Sequence, residues 1–130
     1  MDQKNNNRRQ KGRWAGIPHR VIESGSYSRL DGWDVKLLLE LAKQYNGRNN
    51  GDLSATFSQS KELGWRSSGT LSGAIKKLLR YGFIQKTRQG GKNRCCLYAL
   101  TWAAIDECKG KLEVGPTKTP SNLWQVAQED

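Results

Sequence analysis

A helical pattern of apolar residues lies between Ser67 and Gly82. The apolar side chains recur at three- and four-residue spacing, which places them on one face of a helix: Leu71, Ala74, Ile75, Leu78 and Leu79. The opposite face carries Gly73, Lys76, Lys77 and Arg80. Ser67 or Ser68 is expected to cap the first turn, and Gly82 to end the helix in the left-handed conformation. The pattern predicts a helix with one buried face and one basic face.

A broader apolar face predicts an earlier helix from Asp31 to Tyr45, with Asp31 as its cap. Its main apolar row is formed by Trp33, Leu37, Leu41 and Tyr45. Val35 and Leu39 widen this face, so we expect the helix to be buried on more than one side. The segment from Asn46 to Gly51 has the composition of an exposed loop.

A short helix is predicted from Thr56 to Leu63, directly before the amphipathic one. Ser54 or Thr56 can cap it, whereas Ser60 occupies a position where an apolar residue is expected. A short helix, a tight turn and a second helix form a helix-turn-helix pattern.

The periodicity changes to that of strands after Gly82. Phe83 to Arg88 and Arg94 to Thr101 have strand composition, and Gln89 to Asn93 between them are expected to form a hairpin loop. Asp52-Leu53 is expected to add a short third strand, and Ala103 to Cys108 a helical turn. The expected fold class is therefore mainly α with a small β-hairpin, an α+β arrangement with a three-helix core.

The chain has 130 residues, which is enough for one domain with tails. Residues 1–14 are basic and almost free of apolar residues, so we expect a disordered arm there. The domain is expected over residues 15–108 and a C-terminal tail over 109–130. The apolar cluster around Trp124 in this tail can fold back on the domain, pack on a second subunit or bind another protein.

Positive charge is concentrated on the predicted helix and hairpin. The formal net charge is +10, and nine basic residues against Glu62 place +8 of it between Lys61 and Arg94. With a sequence pI near 9.8, this distribution favours a polyanionic partner and is typical of nucleic-acid binding.

The second helix of a helix-turn-helix presents its first residues to base edges in the DNA major groove. The candidate contacts on this helix are Arg66, Ser67, Ser68, Thr70, Ser72, Lys76 and Lys77. An arginine can make two hydrogen bonds to a guanine, and hydroxyl groups suit phosphates or bases. The alternative is an ordinary amphipathic helix with a solvated charged face.

The hairpin and the N-terminal arm supply further candidate contacts with the phosphate backbone or a minor groove. In the hairpin these are Lys86, Arg88, Lys92 and Arg94, and in the arm Arg8, Arg9 and Arg13. The alternatives are a hairpin made basic for solubility and a solvated tail.

The run TL…AIKKLLRYGFI, followed by a basic hairpin, resembles winged helix-turn-helix proteins. More narrowly, QYNGRNNGDLSAT, TRQGGKNRCCLYALTW and PTKTPSNLW look like small helix-turn-helix proteins of proteobacterial prophages and mobile elements. The similarity covers roughly residues 15–125. It implies double-stranded DNA binding by a three-helix core with a β-wing and says little about the biological role, for which we expect transcription regulation in a mobile element.

Other classes of function find little support in the sequence. His19 has no partner set, Cys95, Cys96 and Cys108 are poorly spaced for zinc, and neither a nucleophile motif nor a phosphate loop is present. We expect no enzyme activity, no cofactor and no metal site. Neither a membrane span nor a signal peptide is expected, which favours a cytoplasmic, nucleoid-associated protein.

Three alternatives stay open at this stage. The same DNA-binding unit serves plasmid or phage replication, partition and excision as well as regulation. A winged helix can also act as a protein-interaction module, which the Trp124 cluster and the broad apolar face around Trp33 favour. A homodimer is compatible with DNA recognition, because palindromic sites mirror two-fold symmetry.

Overall fold

The computed structural model of the protein describes residues 12–126. Over these residues the chain forms four α-helices followed by a two-stranded antiparallel hairpin packed on the helices, which is an α+β fold. The helices are α1 (His19–Ile22), α2 (Gly32–Gln44), α3 (Phe57–Lys61) and α4 (Ser68–Arg80), and the strands are β1 (Ile84–Arg88) and β2 (Leu97–Leu100). Short 3-10 turns occur at Tyr27–Arg29, Cys108–Gly110 and Leu123–Gln125.

The start of α2 is held by two aspartates that cap each other. Asp31 Oδ1 accepts hydrogen bonds from the backbone N–H groups of Trp33 and Asp34, at 3.1 and 3.2 Å. Asp34 Oδ2 accepts in return from the N–H of Asp31 at 2.9 Å. The predicted cap is thereby confirmed, and the helix agrees with the prediction to within one residue at each end.

The apolar face of α2 is narrower than the sequence suggests. Leu37, Leu38 and Leu41 are fully buried, whereas Trp33 is 42% exposed and Leu39 is 46% exposed. The prediction that Trp33 is buried in the main apolar row is therefore wrong, as is the predicted burial of Leu39 on the widened face, whereas Val35 is half-buried. The reason is that α2 packs chiefly against one long partner, α4.

The amphipathic pattern of α4 is confirmed. Leu71, Ala74 and Leu78 are buried, and Ile75 and Leu79 pack half-buried against the same core.

Both ends of α4 also follow the sequence. Ser67 is the cap, because its hydroxyl accepts from the N–H groups of Gly69 and Thr70 at 3.1 and 3.2 Å. Gly82 follows the helix with φ +80°, as expected for a residue that stops it.

The short helix α3 ends at Lys61, earlier than predicted. Thr56 caps it by accepting from the N–H of Gln59 at 3.2 Å. Ser60 is buried despite its polarity, and its carbonyl oxygen accepts from the N–H of Trp65 in the turn that follows. The buried indole of Trp65 donates to Glu40 Oε1 of α2 at 2.8 Å, which anchors the turn between α3 and α4.

The hairpin contains an irregularity at Thr87. Lys86 pairs with Tyr98 and Arg88 with Leu97, so Thr87 is the extra residue of a bulge. Its side chain is buried and donates to the Gly51 carbonyl oxygen at 2.6 Å. The expected third strand is a single bridge between Leu53 and Tyr98.

The predicted second strand is too long at its start. Arg94 forms a bridge with Gly91 across the tip of the hairpin instead of continuing β2. The two neighbouring cysteines therefore lie in the irregular segment before β2, and both are half-buried free thiols.

Asn50 contradicts the prediction of an exposed loop, because it is fully buried. Its side-chain amide donates to the carbonyl oxygens of Leu100, Ala103 and Ala104, and its Oδ1 accepts from the N–H of Leu100 at 2.8 Å. The predicted helical turn after Trp102 is also wrong, since those carbonyl groups are bound by Asn50 and the turn begins only at Cys108.

The C-terminal segment lies against the helical core. Trp124 is 5% exposed, and its carbonyl oxygen accepts from the Ser26 hydroxyl at 2.8 Å. The N–H of Asn122 donates to the Thr101 carbonyl oxygen at 2.8 Å. Of the three alternatives for the apolar cluster around Trp124, the structure therefore shows the one in which the ring folds back on its own chain.

Candidate nucleic-acid interface

The candidate side chains of α4 lie at its N-terminal end and along its outer face. Arg66, Ser67, Ser68, Ser72 and Lys76 are exposed. Thr70 and Lys77 are half-buried. This exposure follows from the helical period, which directs Leu71 and Ala74 inward and leaves the intervening positions outside. The hydroxyl of Ser67 is occupied as the cap, so Ser68 and Ser72 present the hydroxyls not used in capping.

The candidate residues of the hairpin are also accessible. Lys86, Lys92 and Arg94 are exposed, and Arg88 is half-buried. The tip is a two-residue turn of Lys92 and Asn93, closed by two backbone hydrogen bonds between Gly91 and Arg94 of 3.0 and 3.2 Å. Asn93 has φ +63°, a conformation that asparagine tolerates better than most residues. Contact between β1 and α4 places the base of the hairpin beside the helix.

Several of the basic side chains are engaged within the protein. Lys77 Nζ lies 2.9 Å from Asp34 Oδ2. Arg88 Nη2 donates to the Cys95 carbonyl oxygen at 2.8 Å, along its own hairpin. Lys86 Nζ donates to Gln89 Oε1 at 3.0 Å. These contacts reduce the number of basic side chains that are available to a binding partner.

Glu113 is a feature of the hairpin that the sequence analysis missed. Its carboxylate pairs with the guanidinium of Arg94 and accepts from the N–H of Gln89 at 3.0 Å. Its own N–H donates to the Thr87 carbonyl oxygen at 2.8 Å. The residue therefore joins both sides of the hairpin just below the tip. The only sequence signal was a single acidic residue in a tail, which has no pattern to mark it.

The pKa of the Glu113 carboxyl is lowered, chiefly by the hydrogen bond from the Gln89 backbone and further by the charge of Arg94. The carboxylate is thus held in its charged form at neutral pH. It supplies negative charge within a hairpin that is otherwise basic.

Among the candidate cations of α4 and the hairpin, three remain unengaged. Arg66, Lys76 and Lys92 are exposed and make no ion pair or side-chain hydrogen bond with another described residue. Arg66 and Lys76 belong to the α4 region, and Lys92 lies at the tip of the hairpin. A site built from these side chains presents positive charge together with the hydroxyl groups of α4.

The candidate residues of the N-terminal arm are only partly described. Arg13 is exposed and lines a groove together with Trp14, Tyr45 and Trp102. Arg8 and Arg9 lie outside the described residues, as does most of the predicted disordered arm.

Residues 12–126 contain no cluster of three or more histidine, cysteine, aspartate or glutamate side chains arranged to hold a metal ion. Burial raises the pKa of the Cys108 thiol, with smaller contributions from Asp52 and Asp106. Within the same residues, none of the helices combines the length and the hydropathy needed to cross a bilayer.

Comparisons with models of protein families, with curated protein sequences and with solved structures gave no match to this chain.

Proposed function

We propose that the chain is a winged helix-turn-helix protein that binds double-stranded DNA in a sequence-dependent manner. In this proposal α4 enters the major groove and the β1–β2 hairpin acts as a wing on the phosphate backbone. The N-terminal segment that includes Arg13 extends the contact to the backbone or the minor groove. The order of α3, turn, α4 and hairpin supports this arrangement.

The observation that carries the proposal is the set of exposed cations without partners at Arg66, Lys76 and Lys92. The other candidate cations of α4 and the hairpin are held by acidic or carbonyl groups. These three have no such partner among the described residues and retain their full capacity to neutralise phosphates. Together with a net charge of +10, they favour a polyanion as the partner.

Distinct roles follow from the chemistry of each side chain. Arg66, at the start of α4, has the fork of donors that reads a guanine edge. Ser68 and Ser72 can bind bases or phosphates, and Lys76 and Lys92 are phosphate contacts. Lys77 acts instead as a positioning residue, because its ammonium is bound to Asp34.

Selection of bound duplexes from a random pool, at two salt concentrations, tests the proposal directly. We expect enrichment of one motif and affinity that falls steeply with salt. Arg66→Ala should relax discrimination at one base position by about 1–3 kcal/mol. Lys92→Ala should weaken binding to all duplex sequences by the same factor and reduce the slope of log affinity against log salt concentration by about 0.9. Binding that is absent, or insensitive to both salt and these substitutions, contradicts the proposal.

We propose further that the protein regulates transcription in a mobile element. Mapping of bound sites distinguishes this role from replication, partition or excision, since an operator at a promoter differs from repeats at an origin or an attachment site. Two half-sites spaced by one helical turn, roughly 34–36 Å, would indicate that a homodimer binds.

A protein-interaction module is the second candidate. The observation that favours it is the 42% exposure of Trp33, whose ring packs against that of Trp65 with 4.9 Å between ring centroids and an angle of 46° between the ring planes. The other feature that favoured it, the Trp124 ring, is buried within the chain. Recovery of one specific protein partner that is lost with Trp33→Ala, together with absent duplex binding, would favour this candidate.

A further inference from the structure

An open groove of about 520 Å³ lies beside the C-terminal end of α2. Three aromatic side chains line it: Trp14, Tyr45 and Trp102. Arg13 lines it as well, and a second hollow of about 330 Å³ adjoins the same Arg13-Trp14 segment and reaches Lys43. The two hollows therefore flank one short basic and aromatic stretch of the chain.

The three rings differ in how firmly the fold holds them. Tyr45 and Trp102 are half-buried and pack on the hydrophobic core. Trp14 is 70% exposed, so it gains little from packing on the protein. A large ring that stays in water and lines the same groove as two anchored rings is well placed to cover a planar ligand that enters the groove.

The electrostatics of the groove favour an anion. Arg13 lines both hollows and Lys43 lines the second one, and none of the described residues that line the two hollows is acidic. The pKa of Tyr45 is raised, chiefly by burial and further by the charge of Asp106. That carboxylate is occupied, because its Oδ2 accepts from the N–H of Asn50 at 2.8 Å.

We propose that this groove binds an unstacked nucleobase together with its phosphate, as presented by single-stranded nucleic acid. Aromatic faces bind bases by stacking, and neighbouring cations bind the backbone. The inference goes beyond duplex recognition by α4, because its residues lie on the N-terminal segment, the end of α2 and Trp102. It gives the protein a second contact for strand ends or melted segments.

The first test is the binding of a fluorescently labelled oligo(dT) of ten residues, followed by anisotropy. Trp14→Ala should weaken binding by about five- to a hundredfold, the loss expected for one base stack. Trp14→Phe should retain most of the affinity, because it keeps an aromatic face. The high exposure of Trp14 makes both variants compatible with folding.

The matched control is Trp33→Ala, which removes a partly exposed tryptophan outside the groove. It should leave oligo(dT) binding within about twofold of the wild type. Absence of binding by the wild type, an unchanged affinity in Trp14→Ala, or an equal loss in the control would each overturn the proposal.

Photocross-linking locates the site without substitutions. An oligonucleotide that carries 5-iodouracil should cross-link to peptides that contain Trp14, Tyr45 or Trp102. Cross-links confined to peptides of α4 or the hairpin would overturn the assignment. Thymidine monophosphate tests the same chemistry without a strand: quenching of tryptophan fluorescence that disappears in Trp14→Ala supports a base-and-phosphate site that accepts free nucleotides.

These experiments test the proposal for the groove and the proposal for the duplex-binding surface separately. Lys76→Ala should weaken binding to the selected duplex and leave the Trp14-dependent part of oligo(dT) binding intact. Duplex binding without oligo(dT) binding removes the groove and keeps the proposed function. Oligo(dT) binding without duplex binding contradicts the proposed function and keeps the groove.

Discussion

Lys77 Nζ lies 2.9 Å from Asp34 Oδ2, and this contact joins α4 to α2. The Asp34 side chain is only 4% exposed, whereas that of Lys77 is 37% exposed. The pKa of Lys77 is raised from 10.5, chiefly by the hydrogen bond with Asp34. Because the folded-state pKa is raised, the pair stabilises the fold below about pH 10.5, and that contribution is lost as the pH rises through the folded-state pKa. The lysine that the sequence suggested as a DNA contact therefore orients α4.

We expect Lys77→Ala to lower the free energy of unfolding by about 1–2 kcal/mol, because it leaves the buried Asp34 carboxylate without its cation. The value is below that of a fully buried pair, since Lys77 is partly solvated. Lys76→Ala, one residue away and exposed, should change stability by less than about 0.5 kcal/mol. Urea denaturation of both variants measures the difference.

For duplex binding, the substitution with the larger effect should be that of Lys76, whereas for stability it should be that of Lys77. Lys76→Ala should reduce the salt slope by about 0.9, whereas Lys77→Ala should preserve it once unfolded protein is excluded. Equal slopes for the two variants, or a smaller slope in Lys77→Ala, would contradict the assignment of Lys76 to a phosphate and Lys77 to the fold.

Glu113→Gln should strengthen duplex binding under the proposed function. The substitution removes the negative charge that engages Arg94, so the guanidinium becomes available to a phosphate and the salt slope should increase by about 0.9. Glu107→Gln is the matched control, because Glu107 is exposed and makes no ion pair or side-chain hydrogen bond with another described residue. An equal gain in the control would show that net charge alone is responsible.

The same contact predicts a pH dependence. The folded-state pKa of Glu113 is lowered from 4.5, so the carboxylate contributes stability above that pH and loses it as the pH falls through the folded-state value. Chemical shifts of the Glu113 side chain and of the Gln89 amide should titrate together below pH 4.5. Independent titration of the two would contradict the hydrogen bond between them.

Gly82→Ala should destabilise the fold for two reasons. Gly82 has φ +80°, which costs a residue with a β-carbon about 1–2 kcal/mol, and that carbon would clash with the carbonyl group of Leu123. We expect the free energy of unfolding to fall by more than about 2 kcal/mol and the tryptophan emission to shift to the red, measured by thermal denaturation and fluorescence. Gly115→Ala, which meets no atom within 4 Å, is the control and should be nearly neutral.

Gly73→Ala should have the opposite effect on stability. Gly73 lies within α4 on its exposed face, without a positive φ, and an added β-carbon meets nothing within 4 Å. Alanine should therefore stabilise the helix by about 0.5–1 kcal/mol. If α4 lies against DNA as proposed, the added methyl group lowers duplex affinity in spite of this gain. Thermal denaturation and anisotropy on the same preparation measure both, and unchanged affinity would exclude close approach at this position.

Local elements were predictable wherever neighbouring residues supply both the pattern and the cap. The buried face of α4, the caps at Asp31 and Thr56 and the stop at Gly82 depend on contacts within a few residues. The hairpin was predictable in outline for the same reason. The shorter length of the second strand was not predictable. Arg94 has strand composition, but it pairs with Gly91 across the tip of the hairpin and does not continue the strand.

Contacts between distant segments could not be inferred in this way. Asn50 reads as a loop residue, yet its side chain binds carbonyl groups more than 50 residues away along the chain. The sequence assigns Glu113 to a tail, yet its carboxylate contacts Gln89 and Arg94 on the two sides of the hairpin. Polar side chains of this kind have no periodicity, and only the folded arrangement selects their partners.

The sequence by itself determined the α+β class, the order of helices and hairpin and the concentration of positive charge, because periodicity, capping and formal charge are local properties of the chain. The tertiary structure decided which charges are available. It bound Lys77 to Asp34 and Arg94 to Glu113 and left Arg66 and Lys76 exposed, since the fate of a charged side chain depends on the distant groups that folding brings within hydrogen-bonding distance.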